Sequence, residues 1–273
     1  ARQGVACAFV GALGDDDLGV AARRFAEAEG LPCRWQVHAE RATATSGIYV
    51  DGDGAPMNVV QLDANEALTP DFVSGQEDLF AGASVLLTQL ENDLATTRRA
   101  LELATRHRLL RLMNPAPVHP GFDAAMLAQC DLITPNETEF AQLLDRILGV
   151  RADAGDLASI DAPGLHALAR RLGVPTVVLT LGAHGCFVSH APGDLRGDAD
   201  PCYRIAPERV DAIDATGAGD AFSGALAAAI VRGEGRPFRE AVRHANRVAA
   251  LATERVGTAP VMPRQDEVTA RFS

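Results

Sequence analysis

Short apolar runs alternate with longer amphipathic ones along this chain, and that rhythm leaves few folds open. Ser84 to Leu87, Leu109 to Met113, Leu132 to Thr134 and Thr176 to Thr180 read as buried strands, and Val5 to Val10 as another. Between them, Leu18 to Glu29 reads as a helix stopped by Gly30, and Asp93 to Arg106 as a second. Asp161-Ala162-Pro163 starts a third with a cap and an early proline, and Phe238 to Arg255 is the last long one. Continuously apolar strands separated by helices predict an α/β fold: an open, mostly parallel sheet with helices on both faces. One stretch breaks the rhythm. Thr45 to Asp51 and Met57 to Leu62 are strand-like and joined by Gly52-Asp53-Gly54, which predicts a β-hairpin. It reads either as a lid standing off the main sheet or as an antiparallel edge on it. The lid reading divides the chain into an α/β body, residues 1–44 and 63–273, and a small β lid, residues 45–62.

Composition removes several function classes. The 273 residues carry a net charge of −11 and no block of Lys or Arg, so nucleic-acid binding is not expected. No apolar run approaches the roughly 18 residues of a membrane span. Cys7, Cys33, Cys130, Cys186 and Cys202 are widely spaced and form no zinc pattern, which suits a reducing cytoplasm.

The chemistry concentrates in Asp214-Ala215-Thr216-Gly217-Ala218-Gly219-Asp220, followed by Ala221-Phe222-Ser223-Gly224 and an apolar run to Val231. Gly217, Ala218 and Gly219 let the backbone turn tightly and uncover its N–H groups at a helix start, where the helix dipole also attracts anions. Asp220 follows at once. A carboxylate there could take the proton of a hydroxyl that attacks a phosphate. Taken alone, the stretch reads equally as a glycine turn with a helix-start acid. Glu91, Asn114, Asn136, Thr180 and Asp214 all fall at or just past the C-terminal ends of expected strands, the edge along which open α/β sheets bind ligands.

The Asp-x-Thr-Gly-Ala-Gly-Asp-x-Phe run closely resembles the C-terminal signature of the ribokinase-like (phosphofructokinase B-type) sugar kinases. Gly14-Asp15-Asp16-Asp17-Leu18-Gly19, Gln89-Leu90-Glu91, Asn114-Pro115-Ala116-Pro117, Thr134-Pro135-Asn136-Glu137-Thr138-Glu139 and Thr180-Leu181-Gly182-Ala183-His184-Gly185 are similar to further motifs of that family, in its order. The resemblance implies a Rossmann-like ribokinase fold and transfer of the ATP γ-phosphate to a primary hydroxyl of a small sugar. Asn114-Pro115-Ala116-Pro117 and Glu91 tilt the sugar towards D-ribose. The same family also phosphorylates fructose, keto-deoxy sugar acids and nucleosides.

By the resemblance, Asp220 is the base and Gly217, Ala218 and Gly219 the anion hole, while Asp214 and Glu91 accept hydrogen bonds from sugar hydroxyls. Asn136 and Glu139 would lie near the Mg²⁺–phosphate group, Glu139 acting through water. Thr180, Gly182, Ala183 and Gly185 would run beside the nucleotide, and Asn246 would join them in binding it. Carbonyls near Thr216, Ala252, Arg255 and Gly257, with Asp214, would hold a monovalent cation such as K⁺. The implied cofactors are ATP, Mg²⁺ and K⁺, and the implied assembly is a homodimer through the lid, whose outer face carries Ile48, Val50, Val59 and Leu62.

Each residue also has a plainer reading. Asp214 could be a cap and Glu91 a surface acid. Asn136 and Glu139 could cap the helix starting at Glu137. Thr180, Gly182 and Gly185 could form a turn before the strand Cys186 to Ser189, with His184 facing solvent.

The sequence departs from the family in three places. Its N-terminal strand with Asn-x-Asp and the Gly-Gly-x-x-x-Asn signature are absent. Asn246 stands where relatives often place a His near adenine, and Val261 where some place a cation-site Ser. Ala1 to Gly4 reads as the last turn of a helix, so a further upstream segment is expected, and residues 1–273 alone are expected to fall short as a sugar kinase. Two other classes stay open. A dinucleotide oxidoreductase would need Gly-x-Gly-x-x-Gly, whereas Gly11-Ala12-Leu13-Gly14 lacks it and three acids crowd the following helix start. A non-catalytic sugar or nucleotide sensor would not need Asp220.

Overall fold

A computed structural model describes residues 1–50, 56–233 and 237–272. Its strands are β1 (Phe9–Gly14), β2 (Cys33–His38), β3 (Thr45–Val50), β4 (Pro56–Gln61), β5 (Val85–Thr88), β6 (Leu110–Met113), β7 (Leu132–Ile133), β8 (Thr176–Thr180), β9 (Cys186–His190) and β10 (Cys202–Ile205). The helices are α1 (Asp17–Ala28), α2 (Pro70–Ser74), α3 (Glu77–Ala81), α4 (Leu94–Arg106), α5 (Ala124–Leu127), α6 (Glu137–Leu148), α7 (Ala162–Arg171), α8 (Ala218–Arg232), α9 (Phe238–Ala252) and α10 (Gln265–Phe272).

The main sheet runs β10-β9-β8-β7-β6-β5. Strands β5 to β8 are parallel, and β9 and β10 close one side antiparallel. Adjacent residues along β7, β8 and β9 point to opposite faces and are buried on both, whereas the edge strands β5 and β10 keep exposed positions at Leu87 and Arg204. Met113, Ile133 and Val177 enter one core with Leu101 of α4, Met126 of α5, Phe140 of α6 and Leu165 of α7. Leu112, Leu132 and Val178 enter the other with Phe222 and Leu226 of α8 and Val242 of α9. The expected mostly parallel sheet with helices on both faces is therefore the observed one.

The N-terminal strand lies later than Val5 to Val10. Pairing begins at Phe9 opposite Cys33 and continues to Gly14 opposite His38, so Gly11-Ala12-Leu13-Gly14 is strand rather than turn. A Cβ on Gly11 would meet the Phe9 ring at 2.6 Å and the Trp35 ring at 3.2 Å, and those two rings pack with centroids 5.1 Å apart. β1 and β2 form a two-stranded parallel sheet of their own. The last long helix stops at Ala252 rather than Arg255, because the next residues turn back toward Asp214.

The hairpin strands β3 and β4 pair antiparallel, from Thr45 opposite Gln61 to Val50 opposite Pro56, as a separate two-stranded sheet. It is not an edge of the main sheet. Leu62 leaves the ladder and precedes a 3₁₀ turn at Asp63–Ala67. The expected turn at Gly52-Asp53-Gly54 and the side chains of Ile48 and Val50 lie outside the described residues.

Candidate active site

The candidate residues Glu91, Asn114, Asn136, Thr180 and Asp220 collect at the C-terminal ends of β5 to β8 and at the start of α8. Three backbone devices place them. First, Gly217 caps α8 in the left-handed region (φ 77°), where a Cβ would also meet the Met262 methyl at 2.9 Å. Second, Asp214 ties its loop down: Oδ1 accepts from the Thr216 amide and Oδ2 from the Gly257 amide, both at 2.9 Å. The hydrogen bonds to Thr216, then to Gly257, hold its carboxyl below the usual range. Third, a buried polar knot joins three elements. Asn114 Nδ2 after β6 donates to the Thr134 carbonyl after β7 (3.1 Å) and to Ser223 Oγ on α8 (3.2 Å). Thr134 Oγ1 and Ser223 Oγ share a further bond at 2.9 Å. Sequence reasoning gave Ser223 no role.

At the start of α8, the Gly217, Gly219 and Asp220 amides have no hydrogen-bond partner among the described residues. The Ala218 amide does have one: it donates to the Ala215 carbonyl at 3.1 Å. The uncovered donors are thus those of Gly217, Gly219 and Asp220, one position different from the expected set. A Cβ on Gly219 would meet nothing within 4 Å, so open space lies in front of this turn.

Asp220 is exposed at this turn, while nearby protein removes part of the water around its carboxyl. This desolvation holds its carboxyl above the usual range. Two further acids share its field. Glu91 is raised by burial and then by the charge of Asp220. Glu139 is raised by burial against the lowering hydrogen bond from the Asn136 amide, and Asp220 and Glu137 push it up further. Three carboxyls with raised affinity for protons, and no cation acting on them among the described residues, make a site short of positive charge.

Mg²⁺ suits that shortage, since it keeps several waters and takes few protein ligands. No three His, Cys, Asp or Glu side chains among the described residues are placed to hold an ion together. Glu139 is already engaged. With Asn136 it forms a capping box on α6: the Glu139 amide donates to Asn136 Oδ1 (2.8 Å), and the Asn136 amide donates to Glu139 Oε2 (2.9 Å). The helix-capping reading of this pair is therefore correct, and the lone pairs left over fit contact with a metal through water.

The loop after β8 packs beside this pair. The Thr180 amide donates to the Pro135 carbonyl at 2.9 Å. Gly182 to His184 form a 3₁₀ turn whose Ala183 and His184 are exposed. At Gly185 (φ 79°) a Cβ would sit 2.1 Å from the Ile205 carbonyl, so only glycine lets this loop close on β10. Asn246 is buried on α9, with Nδ2 donating to the Ala206 carbonyl at 3.1 Å; it staples the chain after β10 rather than pointing into open space. Near the proposed cation loop, the Ala252 carbonyl accepts from the Arg255 amide (3.4 Å), the Thr253 carbonyl accepts from the Ile213 and Asp214 amides, and the Arg255 guanidinium pairs with Glu267. Asp16 works locally, accepting from Gly19 N, Thr43 N and Thr43 Oγ1 at 2.6–2.7 Å, which fixes the chain entering the hairpin.

Residues 1–265 match the pfkB family carbohydrate kinases. The chain belongs to that family. It is 31% identical over 268 residues to a ribokinase of Haemophilus influenzae, covering 98% of this chain and 81% of that protein. It is 30% identical to a ribokinase of Schizosaccharomyces pombe, covering 97% and 79%. The structure of an Arabidopsis thaliana ribokinase complexed with ribose and ATP superimposes with a TM-score of 0.77, covering 97% of this chain and 82% of that one, at 22% identity. Among the described residues no helix is long and apolar enough to cross a membrane.

Proposed function

We propose that this carbohydrate kinase transfers the γ-phosphate of ATP to a primary hydroxyl of a small sugar, and that the sugar is D-ribose, phosphorylated at O5. The observation that carries the reading is the first turn of α8, where the Asp220 carboxyl stands beside the uncovered Gly217, Gly219 and Asp220 amides. The proton of the sugar hydroxyl passes to the Asp220 carboxylate as the hydroxyl oxygen bonds to the γ-phosphorus. The bond from that phosphorus to the β,γ-bridging oxygen breaks, and ADP leaves with the electron pair. The three amides take up charge on the transferred group. The transition state is loose, so a weak but well-placed carboxylate suffices as base.

Glu139 and Asn136 would hold Mg²⁺ through water, supplying positive charge at the phosphates. Glu91 and Asp214 accept from sugar hydroxyls. Thr180, Gly182, Ala183 and Gly185 line the nucleotide, and the loops from Thr216 and from Ala252 to Gly257 hold a monovalent cation. The hairpin β3–β4 closes over the sugar and pairs with a second copy. It carries no Lys or Arg, which disfavours a sugar that is already phosphorylated. Ribose as the substrate rests on the two ribokinases at 30–31% identity. The test is ADP release across pentoses, hexoses and nucleosides. Ribose giving the highest kcat/KM is the expected result, and a hexose or nucleoside far ahead of it would replace ribose.

A further inference from the structure

The pole of the main sheet opposite the transfer edge holds a second concavity. Ser84, Arg111 and Asp131 stand at the N-terminal ends of β5, β6 and β7, and with Arg108, Leu110 and Arg196 they line a cavity of about 540 Å³. That is metabolite-sized. Its charge runs against the whole chain: three guanidiniums gather here in a protein of net charge −11.

Two of these arginines are already fixed. Arg111 makes a fork on Asp131, with Nε to Oδ2 at 2.8 Å and Nη2 to Oδ1 at 2.6 Å, and Nη1 donates to Thr105 Oγ1 at 2.8 Å. Arg196 donates through Nε to Thr176 Oγ1 (2.7 Å) and through Nη2 to the Asp131 carbonyl (3.2 Å) and Asp194 (3.3 Å). Its Nη1 has no partner among the described residues. Their own carboxylates hold them rigid, with N–H groups left over.

Arg108 is different. It is exposed and makes no side-chain hydrogen bond or ion pair among the described residues. It also sits where arginine is out of place. It follows the C-cap of α4 with φ 61°, in the left-handed region. At the same position α1 and α7 use Gly30 (φ 62°) and Gly173 (φ 73°), the residue this conformation favours. Strain held at a cationic residue on the rim of a cavity points toward function.

We infer that this cavity binds a small metabolite through its phosphate or carboxylate group, clasped by Arg108, Arg111 and Arg196. Guanidinium forks match either oxyanion with two parallel N–H donors, and the Leu110 side of the cavity leaves room for an organic body.

The test uses calorimetric titration of inorganic phosphate and of succinate, each in the presence of saturating Mg²⁺ and a non-hydrolysable ATP analogue whose γ-phosphate fills the anion-binding turn of α8. The key variant is Arg108→Gly. It removes the cation and relieves the strained backbone, so it should melt about 2 °C higher than wild type while its affinity for the oxyanion falls about tenfold or more. Binding of phosphate alone assigns a phosphorylated metabolite, binding of succinate alone a carboxylate, and binding of both the shared chemistry. No binding of either probe, or affinity in Arg108→Gly within about threefold of wild type, overturns the site. Kinase activity is read separately, so failure here leaves the catalytic reading untouched.

Discussion

Ser223→Ala is the sharpest test of how α8 is held in place. Ser223 is 2% exposed, and its hydroxyl bonds to Asn114 Nδ2 at 3.2 Å and to Thr134 Oγ1 at 2.9 Å. Water cannot replace those partners, so each lost bond costs about 0.5–1.5 kcal/mol. The sum belongs near the lower end, because Asn114 Nδ2 keeps the Thr134 carbonyl at 3.1 Å and its weaker contact with Thr134 Oγ1 at 3.4 Å. The expected loss is about 1–2 kcal/mol, which lowers Tm by about 2–4 °C in a chain of this size. The kinetic effect should be larger than the thermal one suggests. Ser223 lies one turn along the helix from Asp220, and small displacements of a reacting group cost rate steeply, so kcat should fall about tenfold with KM for ATP little changed. Denaturant unfolding gives the first quantity and coupled ADP release the second. A double-mutant cycle with Thr134→Val should return a coupling of about 0.5–1 kcal/mol. Unchanged Tm and unchanged kcat in Ser223→Ala would show that the knot does not position the catalytic turn.

Further outcomes follow from the same geometry. Gly219→Val should fold normally, since its Cβ meets nothing within 4 Å, yet lose most activity because the side chain enters the space where phosphate must sit; a folded, active variant would contradict this. Gly185→Ala should cost about 3 kcal/mol in denaturant unfolding through its left-handed backbone and the clash with the Ile205 carbonyl. The base must be ionised to work, so kcat/KM should fall as pH drops through a value above the ordinary 3.8 of Asp, because burial raises Asp220. The charge of Asp220 raises Glu91, whereas Asp220 is itself raised by desolvation, so Glu91→Gln should leave that acid limb in place; a limb that moved to lower pH would contradict this. Val59 and Val60 are 55% and 43% exposed on the hairpin, and sedimentation at micromolar concentration should show the dimer that covers them, whereas a strict monomer would remove it.

Parts of this structure were legible in the sequence for a physical reason. Strands β6, β7 and β8 are buried on both faces, so their apolar runs announce them. β2 does not, because Arg34 and Gln36 alternate with apolar residues on a strand covered more thinly. The sequence puts β1 too early because Gly11 and Gly14 look like turn residues, whereas Gly11 is there to let Phe9 and Trp35 pack. In the site, the glycine turn and its acid were readable because backbone chemistry dictates them locally. The knot was not, since Ser223 meets Thr134 and Asn114 across 89 and 109 residues and a lone serine in an apolar run looks like filler. The same holds for Glu91 and Glu139, whose shared field with Asp220 exists only once the sheet edge is assembled.

The central claim is that Asp220 accepts the proton of a sugar hydroxyl at the start of α8. Asp220→Asn tests it most directly, with kcat from ribose-dependent ADP release and ATP affinity from calorimetry. A neutral amide also removes a desolvated charge, so the variant should melt higher than wild type at neutral pH. That gain should shrink as pH falls through the raised pKa of Asp220, where the wild-type carboxyl is itself neutral. The account predicts a fall in kcat of about a hundredfold or more with ATP affinity retained. Turnover near the wild-type rate in a folded Asp220→Asn protein would contradict it.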